Sequence, residues 1–302
     1  MSFSSEVKTE ICREFPTKKC CAVAEAYGTL LYANTFAPGL IRIITESDAL
    51  CQRLPRLFKK AFGLSFDTLP APEKTGKRSF TVTDPEKIRT IFSVFGYDPR
   101  RAVSHHINLN LLEADCDRVS FLRGVFLAGG SVTDPAKRYH LELVTSHASV
   151  CRELRSLLLE MGFSPKDSRR GTSYITYFKQ SGAIEDILTT MGAPLCAMEV
   201  MQTSVEKHMA NAMNRLTNCD MANADKITDA ARVQLDAIRA IEQGPGLEAL
   251  PTVLQETAFL RIANPSCSLT ELAQLAVPPV TKSCMNHRIR KLIEYSQQIQ
   301  EG

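Results

Sequence analysis

The sequence contains no long apolar run, and this absence excludes a membrane-spanning protein. None of its 302 residues lies in a segment that approaches the roughly 20 apolar residues needed to cross a bilayer. The first residues mix Glu6, Lys8, Glu10 and Arg13 with apolar side chains, unlike the uninterrupted apolar stretch of a secretory signal. We therefore expect a cytoplasmic protein that does not contact a membrane.

Paired cysteine motifs are also missing, although the chain has ten cysteines. No two of them form a C-x-x-C pair, so the usual sequence signature of a zinc site is absent. Many of them lie in apolar periodic segments, where a reduced thiol behaves as a small hydrophobic group. In the reducing cytosol we expect structural thiols, and the sequence predicts neither a metal nor a cofactor.

The net charge of +3 is too small for nucleic-acid binding through bulk charge alone, so any such site must be local. Three basic clusters are present: Arg53, Arg56, Lys59 and Lys60; Lys166, Arg169, Arg170 and Lys179; and Lys282, Arg288, Arg290 and Lys291. We interpret the first cluster as a solvated helix face.

Two parts of the chain repeat the same pattern of elements. The segment 27–96 can be aligned with the segment 123–192 at an offset of roughly 96 to 100 residues. Each copy begins with a helix built around a glycine, Gly28 or Gly124, and continues as strand, helix, basic turn-rich stretch, short strand and final helix. The predicted strands are 40–45 and 79–83 in the first copy, and 140–145 and 173–178 in the second.

Two copies of this pattern predict a pseudo-twofold α+β domain of the αββα type, in which the opening helices pack against each other. The segment FLRGVFLAGGS (Phe121–Ser131) resembles the second signature helix of the LAGLIDADG homing-endonuclease fold. The segment EAYGTLLYA (Glu25–Ala33) resembles a degenerate first one.

The resemblance also indicates that nuclease chemistry has been lost. In active members each signature helix ends in a carboxylate, and the two carboxylates hold divalent metal over the scissile phosphates. Here those positions are Ala33 and Gly129, whose side chains cannot bind a metal. We therefore expect no catalytic residue and no enzymatic activity, while the paired strands remain able to bind DNA or a protein partner.

Secondary DNA contacts are expected in three polar stretches. The matching turn regions of the two copies and an asparagine-rich segment supply the candidates: Lys74, Lys77, Arg78, Lys166, Arg169, Arg170, Asn214, Arg215 and Asn218. The turn regions are equally consistent with solvated loops. The asparagine-rich segment, 211–223, is interpreted as a hinge or phosphate-facing surface, or alternatively as a capped helix junction.

The strongest binding signal lies near the end of the chain. The sequence predicts helices over 225–241 and 250–263, separated by Gly244-Pro-Gly246. Ser268-Leu-Thr-Glu271 is then a capping box that starts a short helix, and a turn containing Val277, Pro278 and Pro279 leads to a second helix from about Thr281. This arrangement predicts a helix-turn-helix over about 268–296.

In a helix-turn-helix, polar side chains on the second helix reach base edges in the major groove, and cations contact phosphates. Lys282, Ser283 and Asn286 are the base-edge candidates, whereas Arg288, Arg290 and Lys291 are better placed for phosphates. Thr281 is expected to cap the helix near a phosphate. Ser268, Thr270 and His287 complete the predicted DNA-binding set.

Three segments of this sequence together resemble the WhiA family. They are FLRGVFLAGGSV, NRLTNCD, and SLTELA followed by PPVTKSCMNHRIRKL, in the order and spacing of that family. The resemblance implies a nucleoid-associated transcription regulator linked to cell division, chromosome segregation and sporulation. It would bind double-stranded DNA at promoter regions, with another transcription regulator or RNA polymerase as a further partner. The alternative is a protein-interaction scaffold for the cell-division machinery with secondary DNA binding.

These expectations define three parts of the chain. Residues 1–110 and 111–218 would form the two halves of the LAGLIDADG-like domain, and residues 219–302 a helical C-terminal domain.

Overall fold

The computed structural model describes residues 2–71, 76–97 and 105–301, with the side chains of residues 300 and 301 left aside. Helix α1 (Phe3–Ile11) precedes the duplication, whose first copy comprises α2 (Lys19–Leu31), β1 (Thr35–Ala37), β2 (Leu40–Thr45), α3 (Asp48–Phe62), β3 (Arg78–Val82) and α4 (Pro85–Val94). The second copy comprises α5 (Asp115–Gly129), β4 (Gly130–Val132), β5 (Leu141–Thr145), α6 (Ala148–Glu160), β6 (Lys166–Arg170), β7 (Ser173–Phe178) and α7 (Ser181–Met191). Both copies contain the predicted elements in the predicted order, with an added short strand after each opening helix and the further strand β6 in the second copy.

The helices α2 and α5 pack directly against each other, as the glycine-centred pattern predicts. Gly28 and Gly124 lie at this contact, where there is no room for a Cβ atom on either residue. Tyr27 and Phe121 are fully buried beside them, with ring centroids 5.6 Å apart. The helix pair forms the centre of the hydrophobic core, which extends to one face of each sheet.

Each copy contributes an antiparallel sheet. The first sheet has the order β1-β2-β3, with Ile43 opposite Phe80, and the second has the order β4-β5-β7-β6, with Leu143 opposite Thr176. Strands β1 and β4 are three residues long and were not predicted, because so short a run carries no alternation.

The basic stretch before β7 is a strand, which corrects the prediction of a turn-rich segment. Strand β6 pairs with β7 through the register Lys166↔Tyr177 to Arg170↔Ser173. All five β6 residues are exposed. An edge strand with a solvated face does not need apolar side chains, so hydrophobic alternation could not reveal it.

The C-terminal part of the described chain is entirely helical. It contains α8 (Pro194–Gln243), α9 (Thr252–Ala263), α10 (Leu269–Leu275) and α11 (Lys282–Glu301). The chain forms two compact units, Met1–Lys207 and His208–Gly302. Helix α8 continues without a break through the position between residues 218 and 219 where the sequence suggested a domain boundary.

The asparagine-rich segment lies in the middle of α8, so the alternative interpretation as a capped helix junction is wrong. Its residues are all exposed, and an asparagine whose side chain faces water does not have to compete for the backbone. Among the residues that the structure describes, no helix is long and apolar enough to span a bilayer.

Candidate nucleic-acid interface

The capping box at Ser268 is present as predicted. The Ser268 hydroxyl accepts a hydrogen bond from the Glu271 backbone N–H at 3.3 Å, and the Glu271 carboxylate accepts one from the Ser268 N–H at 2.7 Å. Leu272 and Ala273 are buried on the inner side of α10. The reciprocal bonds fix the start of the first helix of the pair.

A short turn connects α10 to α11. Val277 is 91% exposed at its outer edge, and Val280 donates a backbone hydrogen bond to the Ala273 carbonyl at 2.9 Å. The Thr281 hydroxyl accepts a hydrogen bond from the Cys284 N–H at 3.2 Å, so Thr281 caps α11 as the sequence suggested. These bonds orient the second helix relative to the first.

Helix α11 has one buried and one exposed side. Met285, Ile289, Leu292 and Ser296 are buried against the other helices of this unit. Ser283, Asn286, His287 and Arg290 are exposed and follow the spacing i, i+3, i+4, i+7 of a single helix face.

The other residues of the predicted DNA-binding set differ in solvent exposure. Thr270, Thr281, Lys282 and Lys291 are exposed, whereas Arg288 is half-buried at the margin of the packed face. The Arg290 guanidinium lies 3.4 Å from the Glu294 carboxylate, and both side chains are mostly exposed. Such a surface pair contributes little and can exchange for a phosphate contact.

A cavity of about 530 Å³ adjoins the start of α11, and no sequence pattern predicted it. It is lined by Asn223, Lys226, Ile227, Ala230, Gln234, Arg261, Ser268, Leu269, Thr270 and Lys282. Lys226 lies more than 50 residues from Lys282 in sequence, so only packing of α8 beside α10 and α11 brings the two cations to one cavity.

Arg261 supports this region from inside. It is 1% exposed and donates hydrogen bonds to the carbonyls of Asn264 at 3.3 Å and Cys267 at 2.6 Å. Burial lowers the pKa of its guanidinium from the usual value. Arg261 therefore fixes the segment that leads into the helix-turn-helix, a role that periodicity alone did not suggest.

The basic residues of β6 divide between two faces of the second sheet. Register places Lys166 and Arg170 on the face that carries Glu142 and Tyr177, whereas Arg169 lies on the opposite face, over the Tyr174 ring at 5.4 Å. Arg170 is 76% exposed and lies 3.8 Å from Glu142. Lys166 and Arg170 therefore share the solvent-exposed face of the sheet, called the open face below, and Arg169 does not.

Among the described residues of the matching region in the first sheet, fewer cations are free. Lys74 lies outside the described residues, and Lys77 is exposed. Arg78 is 13% exposed, pairs with Asp48 at 2.5 Å, and donates to the Glu46 carbonyl. Arg42, which the sequence did not single out, is exposed on the open face because its neighbours Ile41 and Ile43 point into the core.

The candidates on α8 are all exposed. Asn214, Arg215 and Asn218 lie on a helical stretch whose residues 208–230 are solvent-accessible on every side. The Arg215 guanidinium donates to the Asn211 carbonyl at 3.2 Å, one turn earlier on the same helix.

Arg53 does not belong to a solvated helix face, which corrects our interpretation of the first basic cluster. It is 3% exposed, and its guanidinium donates to both carboxylate oxygens of Glu25 at 2.5 and 2.7 Å. It also donates to the carbonyls of Cys12 and Glu14. A charge at this depth needs such a partner, so Arg53 is a structural residue.

The positions of the lost nuclease carboxylates lie at the carboxyl ends of α2 and α5. A Cβ atom on Gly129 would lie 2.5 Å from the Tyr32 ring and 2.8 Å from the Val144 carbonyl oxygen. In the part of the chain that the structure describes, no group of three metal-ligating side chains converges at Ala33 and Gly129. The scaffold has therefore lost both the ligands and, at Gly129, the space for one.

Family models and similar proteins match residues in both compact units. The family model described as the WhiA C-terminal HTH domain matches residues 213–296, and the WhiA LAGLIDADG-like domain matches residues 118–210. Two proteins named "Probable cell division protein WhiA" are similar over the whole chain. The Desulfitobacterium hafniense (strain Y51) protein is 36% identical over 100% of this chain and 97% of its own length. The Clostridium botulinum (strain Hall) protein is 32% identical over 100% of both.

Solved structures agree with the observed fold. Full-length DUF199/WhiA from Thermotoga maritima aligns with a TM-score of 0.61 at 24% identity, covering 99% of each chain. The N-terminal LAGLIDADG domain of DUF199/WhiA aligns with a TM-score of 0.50 at 22% identity, over 63% of this chain and 92% of that domain. The predicted fold class, a LAGLIDADG-like α+β domain followed by a helical region with a helix-turn-helix, is confirmed.

Proposed function

Since the chain belongs to the WhiA family, we propose that it is a transcription regulator that binds specific sequences of double-stranded DNA through α11. The observation that carries this proposal is the exposed polar face of α11, with Ser283, Asn286 and Arg290 on one side and a packed apolar side behind it. A rigid helix with this division can enter the major groove.

The predicted residues of the helix-turn-helix divide into base-reading, phosphate-binding and helix-capping residues. Lys282, Ser283 and Asn286 read base edges from the first turns of α11, while Arg290 and Lys291 contact phosphates further along. Arg288 contacts phosphate with the exposed part of its side chain. Ser268 acts by capping α10, and Thr281 by capping α11, which leaves the free amides of that helix available to a phosphate.

The LAGLIDADG-like unit adds affinity without cutting DNA. Lys166 and Arg170 on the open face of the second sheet, and Arg42 on that of the first, would contact the backbone of the duplex. Cleavage is not part of the proposed function, because Ala33 and Gly129 hold no metal ligand.

The names of the relatives suggest which genes the protein regulates. The proteins from Desulfitobacterium and Clostridium are named cell division proteins, so we propose that this chain regulates cell division genes from promoter sites in the nucleoid. Its family resemblance extends the proposal to chromosome segregation and sporulation, with another transcription regulator or RNA polymerase as a protein partner.

The test uses the full-length protein and crosslinking of its chromosomal sites in cells. Fragments recovered from these sites are then used to measure affinity over a range of salt concentrations. Lys282→Ala and Arg290→Ala are each expected to weaken binding, and removal of one phosphate contact should lower the log-log salt slope by about 1. Asn286→Ala should instead reduce discrimination between sites and non-specific DNA, by about 1–3 kcal/mol if its contact is bidentate.

Arg239→Ala is the matched control, since it removes one exposed cation from α8 in the same unit. The control should retain the DNA affinity and the log-log salt slope of the wild type. Unchanged binding in all three α11 variants, each shown to be folded, would refute α11 as the reading helix.

A second candidate function, a scaffold for the division machinery, is favoured by one observation. Leu195, Met198, Met201 and Val205 form an exposed apolar strip on α8, each side chain being 53–62% exposed. Met198→Glu with Val205→Glu should abolish the cellular role if the protein acts as a scaffold, and leave it intact if DNA reading is sufficient. Lys282→Ala with Asn286→Ala should give the opposite pattern.

A further inference from the structure

Three thiols and one carboxylate converge in the LAGLIDADG-like unit, away from the lost nuclease centre. The Sγ atoms of Cys20, Cys21 and Cys116 and a carboxylate oxygen of Asp117 all lie within 4.8 Å of one another. The Cys20 and Cys21 sulfurs are 4.0 Å apart, and the Cys116 sulfur is 3.8 Å from the Asp117 carboxylate. In a tetrahedral zinc site, with Zn–S bonds of about 2.3 Å, neighbouring sulfurs are about 3.8 Å apart.

The fold places these four residues by symmetry. Cys20 and Cys116 are separated by 96 residues, as are Cys21 and Asp117, and the same offset relates Gly28 to Gly124. The cluster is therefore formed by equivalent positions in the first turns of α2 and α5. Since these helices have 13 and 15 residues, it lies about 20 Å from the carboxyl ends where nucleases of this fold bind metal.

The charge at this cluster is not balanced by the protein. Asp117 is 7% exposed, and no lysine or arginine forms an ion pair with it among the residues that the structure describes. The side chains that form hydrogen bonds with it are the thiols of Cys116 and Cys20, which carry no positive charge. A buried carboxylate without a cation is costly, and a divalent metal ion would supply the missing positive charge.

The surroundings also suit a site that fills from solvent. Cys21 is buried, Cys116 is half-buried and Cys20 is exposed, so the cluster has a closed side and an open side. The exposed Cys20 gives a metal ion direct access from solvent. The positive N-terminal ends of the two helices stabilise the net negative charge of a metal bound by three thiolates and a carboxylate.

We propose that Cys20, Cys21, Cys116 and Asp117 bind one zinc ion that joins the N-terminal ends of α2 and α5. Three soft thiolates select zinc over magnesium or calcium, and four protein ligands leave no open position for catalysis. The site is thus structural: binding releases the thiol protons and crosslinks the two halves of the duplication at the end opposite to the former nuclease centre.

The experiment measures metal in the full-length protein. After exposure to zinc and removal of free ions by dialysis, the wild type should retain about one zinc ion per chain, the stoichiometry of a single four-ligand site. Cobalt added to chelator-treated protein should give the sulfur-to-metal charge-transfer absorption and visible bands of tetrahedral coordination. Zinc should also raise the melting temperature of the chelator-treated protein.

Cys116→Ser and Asp117→Asn are expected to lower zinc affinity more than about 100-fold, exceeding the loss typical of an outer-shell partner. Cys219→Ser, which removes an exposed thiol from α8, is the control and should keep the zinc. If a variant fails to fold, the cobalt spectrum of the wild type still decides whether thiolates bind the metal.

Three results would overturn the proposal. One is a wild-type protein that retains no zinc and gives no cobalt charge-transfer band. Another is a disulfide between Cys116 and Cys20 or Cys21, identified by mass spectrometry of unreduced peptides in protein isolated directly from cells. Equal zinc loss in Cys219→Ser and Cys116→Ser would likewise assign the metal to surface thiols.

Discussion

Gly28 and Gly124 occupy equivalent positions on the two central helices, and each lies against the backbone of the opposite helix. A Cβ atom on Gly28 would be 2.2 Å from the Phe121 carbonyl oxygen, and one on Gly124 would be 2.0 Å from the Glu25 carbonyl oxygen. The contact is therefore made by main chain on both sides. Neither helix can move away without disturbing the core that both sheets share.

Gly124→Ala should destabilise the LAGLIDADG-like unit by about 3 kcal/mol or more, at the upper end of overpacking effects, because the clashing atoms are backbone. Thermal and urea unfolding of the full-length protein measure the change. Gly182→Ala is the matched control, since a Cβ atom there meets nothing within 4 Å. The control should be neutral or slightly stabilising, as alanine is the better helix former. Equal stability of Gly124→Ala and wild type would show that α2 and α5 are not in backbone contact.

Arg53→Met should destabilise the protein by about 3–5 kcal/mol, because it leaves the fully buried Glu25 carboxylate without its partner. Urea unfolding at neutral pH gives the difference. Lys59→Ala, on the exposed side of the same helix, is the control and should change stability by less than about 0.5 kcal/mol.

Replacing both members of this pair should be less harmful than replacing one. Arg53→Met combined with Glu25→Leu removes both charges, so most of the loss caused by Arg53→Met alone should be recovered. A double variant that is as unstable as the additive prediction would mean that the hydrogen bonds from Arg53 to the Cys12 and Glu14 carbonyls matter more than the ion pair.

Ser268→Ala should destabilise the start of α10 by about 1 kcal/mol, because the Glu271 N–H loses its acceptor. Hydrogen exchange at the α10 amides measures the effect at this helix. A melting temperature would not, because the chain has two compact units and a single transition does not report on one helix. Ser266→Ala, in the preceding exposed turn, should leave those exchange rates unchanged. Unaltered exchange in Ser268→Ala would argue that the cap is not formed in solution.

Asp67 should make the protein sensitive to acid. The Lys87 ammonium, together with the backbone N–H groups of Asp84 and Thr83, lowers the pKa of Asp67 to about 2. Because the folded-state pKa lies below the unfolded value of about 3.9, this stabilisation is complete at higher pH and is lost as the pH falls towards 2.

Wild type and Asp67→Asn are therefore expected to differ in unfolding free energy at pH 6 and to converge between pH 4 and pH 2. Urea unfolding across this range makes the comparison. Glu86→Gln is the control, since its pair with Arg89 is mostly exposed and should contribute little at any pH. A difference between wild type and Asp67→Asn that does not change with pH would exclude the ionised carboxylate as its source.

Local sequence patterns predicted those helices, strands and caps that are marked by a hydrophobic period or a short capping motif. The capping box at Ser268, the buried face of α11 and the strands β2 and β7 were all readable, because each follows a helical or strand period or a fixed turn motif. Strand β6 was not, because an exposed edge strand such as Lys166–Arg170 has no apolar alternation to detect.

Part of the candidate site was also predicted, because helical periodicity identifies the exposed face of α11. Exposure of Lys282, Asn286 and Arg290 follows from helical periodicity around Met285 and Ile289. Lys226 beside Lys282, and Arg42 on the open face of the first sheet, were missed because their positions depend on which elements pack together. The same applies to Arg53, which looked like part of a solvated cluster until α3 was placed against α2.

The sequence by itself determined the duplication and the polar face of α11, since residue identity and spacing are enough for each, and its resemblance to the LAGLIDADG fold indicated the missing carboxylates at Ala33 and Gly129. Only the tertiary structure decided that Glu25 neutralises Arg53 and that Cys20, Cys21, Cys116 and Asp117 meet. The physical reason is that charge pairing and metal ligation depend on distances of a few ångströms between residues far apart in the chain. Those distances are set by the close contact of α2 and α5, which no local pattern records.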